Sequence, residues 1–187
     1  MSKKFLPASL HVQSFAQVGA TLDGADSLQN YERLSEELQR PAPDRVVNWS
    51  AVGELRSSQG GEDQVWLHLK AATVAPLACQ RCLDAVDVPL AFDRSFRFVA
   101  DEATAEALDD GVEEDLLALS TEFDLLGLIE DELLMELPVV PRHDLCPTEL
   151  PHLLQPGATA QGTVVDELGE KPNPFAVLAK LRTGKLN

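Results

Sequence analysis

At 187 residues and 44% hydrophobic content, the chain is long enough for one well-filled core and too apolar for wholesale disorder. No apolar run approaches the ~20 residues that span a bilayer, and the stretch after Lys4 is broken by Pro7, Ser9, His11, Gln13 and Ser14. Neither a membrane span nor a signal-peptide core is expected. The net charge of −16 argues against broad binding to a phosphate backbone and favours solubility or steering towards a basic partner. Three cysteines, an odd number, suit a reducing cytoplasm better than a disulfide scaffold.

Along the chain, Ser27 followed by Leu28, Tyr31, Leu34 and Leu38 predicts a short amphipathic helix, closed by Pro41 and Pro43. Strand patterning then takes over. Val47, Trp49 and Ala51 share one parity, as do Val65, Leu67, Leu69 and Ala71, with Gly60-Gly61 as the turn between the runs. Val86, Val88, Leu90, Phe92, Phe96 and Phe98 continue as one long strand, or as two with a bend at 93–95. Pro89 belongs at an edge or a bulge. Such strands form an antiparallel sheet that needs helices to cover its apolar face.

Residues 101–115 carry Asp101, Glu102, Glu106, Asp109, Asp110, Glu113, Glu114 and Asp115, which reads as a solvated acidic loop without EF-hand spacing. The strongest helix is predicted over 124–137. Leu126, Ile129, Leu133 and Leu137 make its stripe, Leu125 and Leu134 widen it, Asp124 or Thr121 caps it, and Pro138 ends it. Glu130, Asp131, Glu132 and Glu136 are expected on its wet side. No Lys or Arg occurs between Phe98 and Pro141, so this region forms a single-sign block suited to a basic partner. Its candidate contacts are Asp109, Asp110, Glu113, Glu114, Glu130 and Asp131.

The expected class is therefore α+β, with an antiparallel sheet and a few covering helices in a single domain over 1–146. Residues 147–172, rich in Pro and Gly, read as a flexible linker. Asn173 and Pro174 then open a short terminal helix over 173–184, with Phe175, Leu178 and Leu181 on one side and Lys180, Arg182 and Lys185 towards its end. A helix this short must dock, on the domain or on a partner, so Phe175 and Leu178 join the candidate contacts.

Chemistry concentrates at Cys79-Gln80-Arg81-Cys82, a spacing that lets two thiols converge in a tight knuckle. Cys146 and His143 are the further candidate ligands that would complete a zinc site. The alternative is a set of free thiols. A thioredoxin-like role fits poorly, because the pair falls between strands rather than at a helix N-terminus. No nucleophile-elbow, phosphate-loop or dinucleotide-binding glycine pattern is present, so no active site is read and the protein is expected not to be an enzyme.

Three segments, in order, carry a resemblance. They are Cys79–Cys82, the run Glu-Leu-Leu-Met-Glu-Leu-Pro-Val-Val-Pro-Arg-His-Asp over 132–144, and Lys-Pro-Asn-Pro-Phe-Ala-Val-Leu over 171–178. Together they resemble the YceD family of large ribosomal RNA subunit accumulation proteins. The resemblance implies a cytoplasmic protein needed for normal levels of large-subunit ribosomal RNA, without known catalytic residues. The family's gene often neighbours that of a small basic ribosomal protein. Many members have a second Cys pair after the central signature, where this chain has only Cys146. The implied function is a non-enzymatic ribosome-biogenesis factor that binds a basic ribosomal or assembly protein, with local or indirect contact to ribosomal RNA. The competing class is a metal- or thiol-dependent enzyme acting in RNA processing.

Overall fold

Alternating apolar residues build three long strands in succession. β2 (Val46–Arg56), β3 (Gln64–Ala78) and β4 (Ala85–Val99) pair antiparallel, and β1 (Thr21–Ser27) adds to β2 on the outside. A short β5 (Asp115–Ala118) runs parallel to the end of β4, giving the order β1-β2-β3-β4-β5. The structure is a computed structural model that describes residues 5–57, 63–109 and 111–147, all within a compact unit spanning Met1–Glu149. The predicted Gly60-Gly61 turn, Asp110, the linker beyond Pro147, and the terminal helix with Phe175 and Leu178 lie outside the described residues.

The parity argument places side chains correctly. Val47, Trp49, Ala51, Val65, Leu67, Leu69, Ala71, Leu90, Phe92, Phe96 and Phe98 are all buried. They share one face, because the register sets Leu67 opposite Phe96 and Ala71 opposite Phe92. β4 is one uninterrupted strand, not two. Pro89 faces Val74 on one side only, since β5 reaches no further than Phe96 along β4, which puts it on an edge stretch of the sheet where proline is tolerated.

Helices cover that apolar face. α1 (Val12–Gln17) packs on β2 and β3, and α4 (Leu125–Met135) packs on β3, β4 and the short α2 (Glu32–Glu36). The approach of α1 is close: a Cβ on Gly53 would meet Phe15 Cδ1 at 2.6 Å and the Ala16 backbone at 2.9 Å. Glycine at 53 is what lets helix and strand touch. Leu125, Ile129 and Leu133 of α4 are fully buried, and Asp124 caps the helix by accepting from Gly127 N–H at 3.0 Å. The N-terminal segment straps the start of α4 through paired bonds between Leu10 and Phe123 and through Leu125 N–H to the Pro7 carbonyl.

Three expectations are corrected. The helix from Ser27 to Leu38 is instead a 3-10 turn (Leu28–Asn30) followed by α2, although Leu28, Tyr31 and Leu34 are buried as their spacing suggests. The 101–115 loop contains α3 (Glu102–Asp109) and leads into β5. Asp101 explains the start of α3, since its carboxylate accepts from the N–H and hydroxyl of Thr104 at 2.8 and 2.7 Å, and alanines fill the interior.

The third correction concerns α4, whose acidic side is not uniformly wet. Glu130 and Glu132 are buried, and each meets an arginine from another element. Glu130 Oε1 accepts from the N–H groups of Arg33 and Leu34 at 2.8 and 3.2 Å, while Arg33 Nε donates to Oε2 at 3.0 Å. Those two N–H groups belong to the first turn of α2, which Tyr31 does not cap. Arg94 interrupts the apolar parity of β4 opposite Leu69, and its Nε lies 3.0 Å from Glu132. Burial raises the Glu132 carboxyl above its ordinary value, with Arg94 working in the opposite direction.

Glu130→Ala therefore strands two N–H groups and leaves the half-exposed Arg33 guanidinium with Asp131. We expect a loss of about 2–3 kcal/mol in urea unfolding, with Glu130→Gln losing less because it keeps one acceptor. Equal stability of Glu130→Ala and wild type would show that the cap is idle.

Candidate metal centre and acidic strip

The β3–β4 connection is the knuckle. Cys79 follows the last residue of β3, and its N–H donates to the Asp84 carbonyl at 2.9 Å. Leu83 N–H returns to the Cys79 carbonyl at 2.8 Å, and Leu83 takes a left-handed φ of 65° to close the turn. This tight path brings the Cys79 and Cys82 sulfurs together.

The second half of the site arrives from the coil after α4. Gln80 N–H donates to the Pro141 carbonyl at 2.8 Å, which lays residues 138–147 against the knuckle. Cys146 Sγ then lies 3.9 Å from Cys79 Sγ, and His143 Nδ1 lies 3.5 Å from Cys82 Sγ. All four donor atoms fall within 4.8 Å of one another. A tetrahedral ion bound at zinc distances sets sulfurs about 3.8 Å apart and a sulfur–nitrogen pair about 3.5 Å apart. The donor set fits that geometry.

His143 is oriented for ligation. Its Nε2–H donates to the Ala85 carbonyl at 3.1 Å, which leaves Nδ1 with its lone pair directed at the cluster. The thiols differ in their environments. Burial opposes ionisation of Cys79, yet the N–H groups of Cys82, Arg81 and His143 outweigh it and lower that thiol to about 5. At Cys82 burial leads, helped by the neighbouring sulfurs of Cys146 and Cys79, and pushes the thiol up to about 11.

Sequence spacing missed Arg81. Its Nε donates to Cys146 Sγ at 2.9 Å, and Nη2 donates to the carbonyls of His143 and Asp144 at 3.1 and 3.4 Å. The one available signal was a cation lying between two thiols in the sequence.

The candidate partner contacts separate in space. Asp109 closes α3 and is exposed, and Glu113 and the half-buried Glu114 lie just before β5. Glu102, Glu106, Asp109 and Glu113 have no ion-pair partner among the described residues. Glu130 does not belong with them: its carboxylate is occupied inside the chain. Asp131 is exposed but pairs with Arg33 at 2.5 Å. No helix among the described residues is long and apolar enough to cross a membrane.

An α+β protein whose central hairpin ends in a cysteine–histidine cluster that could hold a metal ion is the class that fold and site define. The sequence family described as large ribosomal RNA subunit accumulation protein YceD matches residues 67–182, and the chain belongs to that family. It is 30% identical over 182 residues to the Large ribosomal RNA subunit accumulation protein YceD of Haemophilus influenzae, covering 97% of this chain and 99% of the relative. No solved structure matches it significantly.

A thiol lowered to about 5 has a testable signature. In reduced, metal-free protein one thiolate should persist at neutral pH and disappear as the pH falls through about 5. The stability it contributes is fully present above the ordinary thiol value, roughly 8.5, and is lost over the same descent. Titrating the ultraviolet thiolate absorbance of wild type against Cys79→Ser checks this. A wild-type curve with no thiolate left at pH 7 would contradict the depressed value.

Proposed function

We propose that the protein is a non-enzymatic cytoplasmic factor that supports large-subunit ribosomal RNA accumulation by binding a basic ribosomal or assembly protein. The observation carrying this reading is the exposed acidic strip of α3 and the approach to β5, where Glu102, Glu106, Asp109 and Glu113 face solvent with no ion-pair partner among the described residues. Arginines from other elements already hold Glu130, Glu132 and Asp131, so within the acidic block the uncompensated charge lies mainly along this strip. Charge complementarity there speeds encounter with a basic partner and selects against acidic ones. Contact with ribosomal RNA is then local or indirect, and the basic residues of 180–185 are the segment suited to it.

In this reading the Cys79, Cys82, His143 and Cys146 set holds a structural zinc ion. Four protein donors fill a tetrahedral site and leave no open position for substrate, which favours a structural role over a metal-dependent enzyme. The ion would join the β3–β4 turn to the coil after α4.

Two measurements test the proposal. Cells lacking the protein should show a low ratio of large- to small-subunit ribosomal RNA, restored by wild type. A copy neutralised at Glu102, Glu106, Asp109 and Glu113 should not restore it, although its stability changes by no more than about 0.5 kcal/mol per site. Full rescue by that copy would remove the strip from the function. For the ion, a chelator should lower the thermal midpoint by at least about 5 °C, roughly 2 kcal/mol for a chain of this size. The Cys82→Ser protein should be indifferent to it. Protein purified without added metal that contains no zinc and ignores the chelator would end the zinc reading.

A further inference from the structure

The metal centre is assembled from two parts that differ in rigidity. Cys79 and Cys82 sit on a hairpin whose strands pair along their whole length, from Ala78 opposite Ala85 outward. His143 and Cys146 sit on coil. Among the described residues, that coil is tied to the knuckle by Gln80 N–H to Pro141, by His143 Nε2–H to Ala85, and by Arg81. Arg81 alone accounts for three bonds, to Cys146 Sγ and to the carbonyls of His143 and Asp144. Its guanidinium thus reaches one distal ligand at the sulfur and the other at its own backbone.

We propose that Arg81 is the positioning residue of the metal centre: it docks the 143–146 segment onto the knuckle and caps the Cys146 thiolate with an outer-sphere hydrogen bond. The proposal rests on the zinc reading. Three thiolates and one neutral imidazole around a divalent cation leave a single negative charge, in a chain that already carries −16. The Arg81 guanidinium neutralises that charge at the sulfur where it is in contact. A hydrogen bond to a metal-bound sulfur also draws electron density from it, so Cys146 becomes a poorer nucleophile. The planar fork matters as much as the charge. Nε meets the sulfur while Nη2 meets two carbonyls, and a lysine ammonium has no equivalent pair of separated donors.

The test uses the full chain, wild type and the variants Arg81→Met and Arg81→Lys, each loaded with cobalt(II) as the probe ion. Wild type should take up one equivalent with thiolate-to-metal absorption. Arg81→Met should keep its far-ultraviolet dichroism and its stoichiometry, but bind the ion about 10- to 100-fold more weakly in competition with a chelator. In the loaded variant Cys146 should be alkylated faster than in wild type, while Cys79 stays protected. Arg81→Lys should recover only part of the affinity. That last result separates positioning from charge alone. Unchanged affinity and unchanged Cys146 protection in Arg81→Met would overturn the role of Arg81 and leave the zinc reading standing. A wild-type protein that takes up no cobalt would overturn both.

Discussion

The carboxylate of Glu130 is the contact on which the arrangement of helices depends. It projects from α4, yet it completes the first turn of α2 by accepting from Arg33 and Leu34 N–H, and it holds the Arg33 guanidinium as well. A helix as short as α2 has little stability of its own, so its existence and the docking of α4 are one event. On the side facing β4, Glu132 meets Arg94, the single basic residue that breaks the apolar parity of that strand. Between the two pairs, Leu125, Ile129 and Leu133 fill the core. The apolar stripe drives α4 onto the sheet, and the paired acids select its rotation. An orientation that left either carboxylate buried without its arginine would be strongly unfavourable.

That rotation fixes the path of the chain beyond α4. Coil leaves the helix at Glu136 and must meet the β3–β4 turn for His143 and Cys146 to approach Cys79 and Cys82. The candidate metal centre is therefore downstream, in a mechanical sense, of the core. The hairpin supplies a rigid half and the docked helix delivers the other. Hydrogen bonds from Gln80, Arg81 and His143 then lock the two together.

The distribution of charge follows the same logic. A block with no Lys or Arg from Phe98 to Pro141 cannot neutralise itself. Cations reach it only from elsewhere, Arg33 from α2 and Arg94 from β4, and each holds one acid that folding buries. What is left over, on α3 and before β5, stays at the surface. Family membership ties the chain to accumulation of large-subunit ribosomal RNA, and the basic partner proposed above is the kind this leftover charge would attract.

Much of this was legible in the sequence. Strand parity over Val47–Ala51, Val65–Ala71 and Leu90–Phe98, the Asp124 cap with its leucine stripe, and the Cys79–Cys82 knuckle all follow from local rules. Alternation and helical spacing are set by neighbours within a few residues, so a linear reading recovers them. Where local signals conflicted it failed: the acids of 101–115 outweighed the alanines of α3, although Asp101 was a serviceable cap. The fate of Glu130 and Glu132, the convergence of the four candidate donors and the contacts of Arg81 were decided only by tertiary structure. Each depends on residues far apart in the chain, from 38 positions for Arg94 and Glu132 to 97 for Arg33 and Glu130, meeting within hydrogen-bond range. No periodicity encodes such a meeting, because it is the packing of whole elements that brings the two ends together.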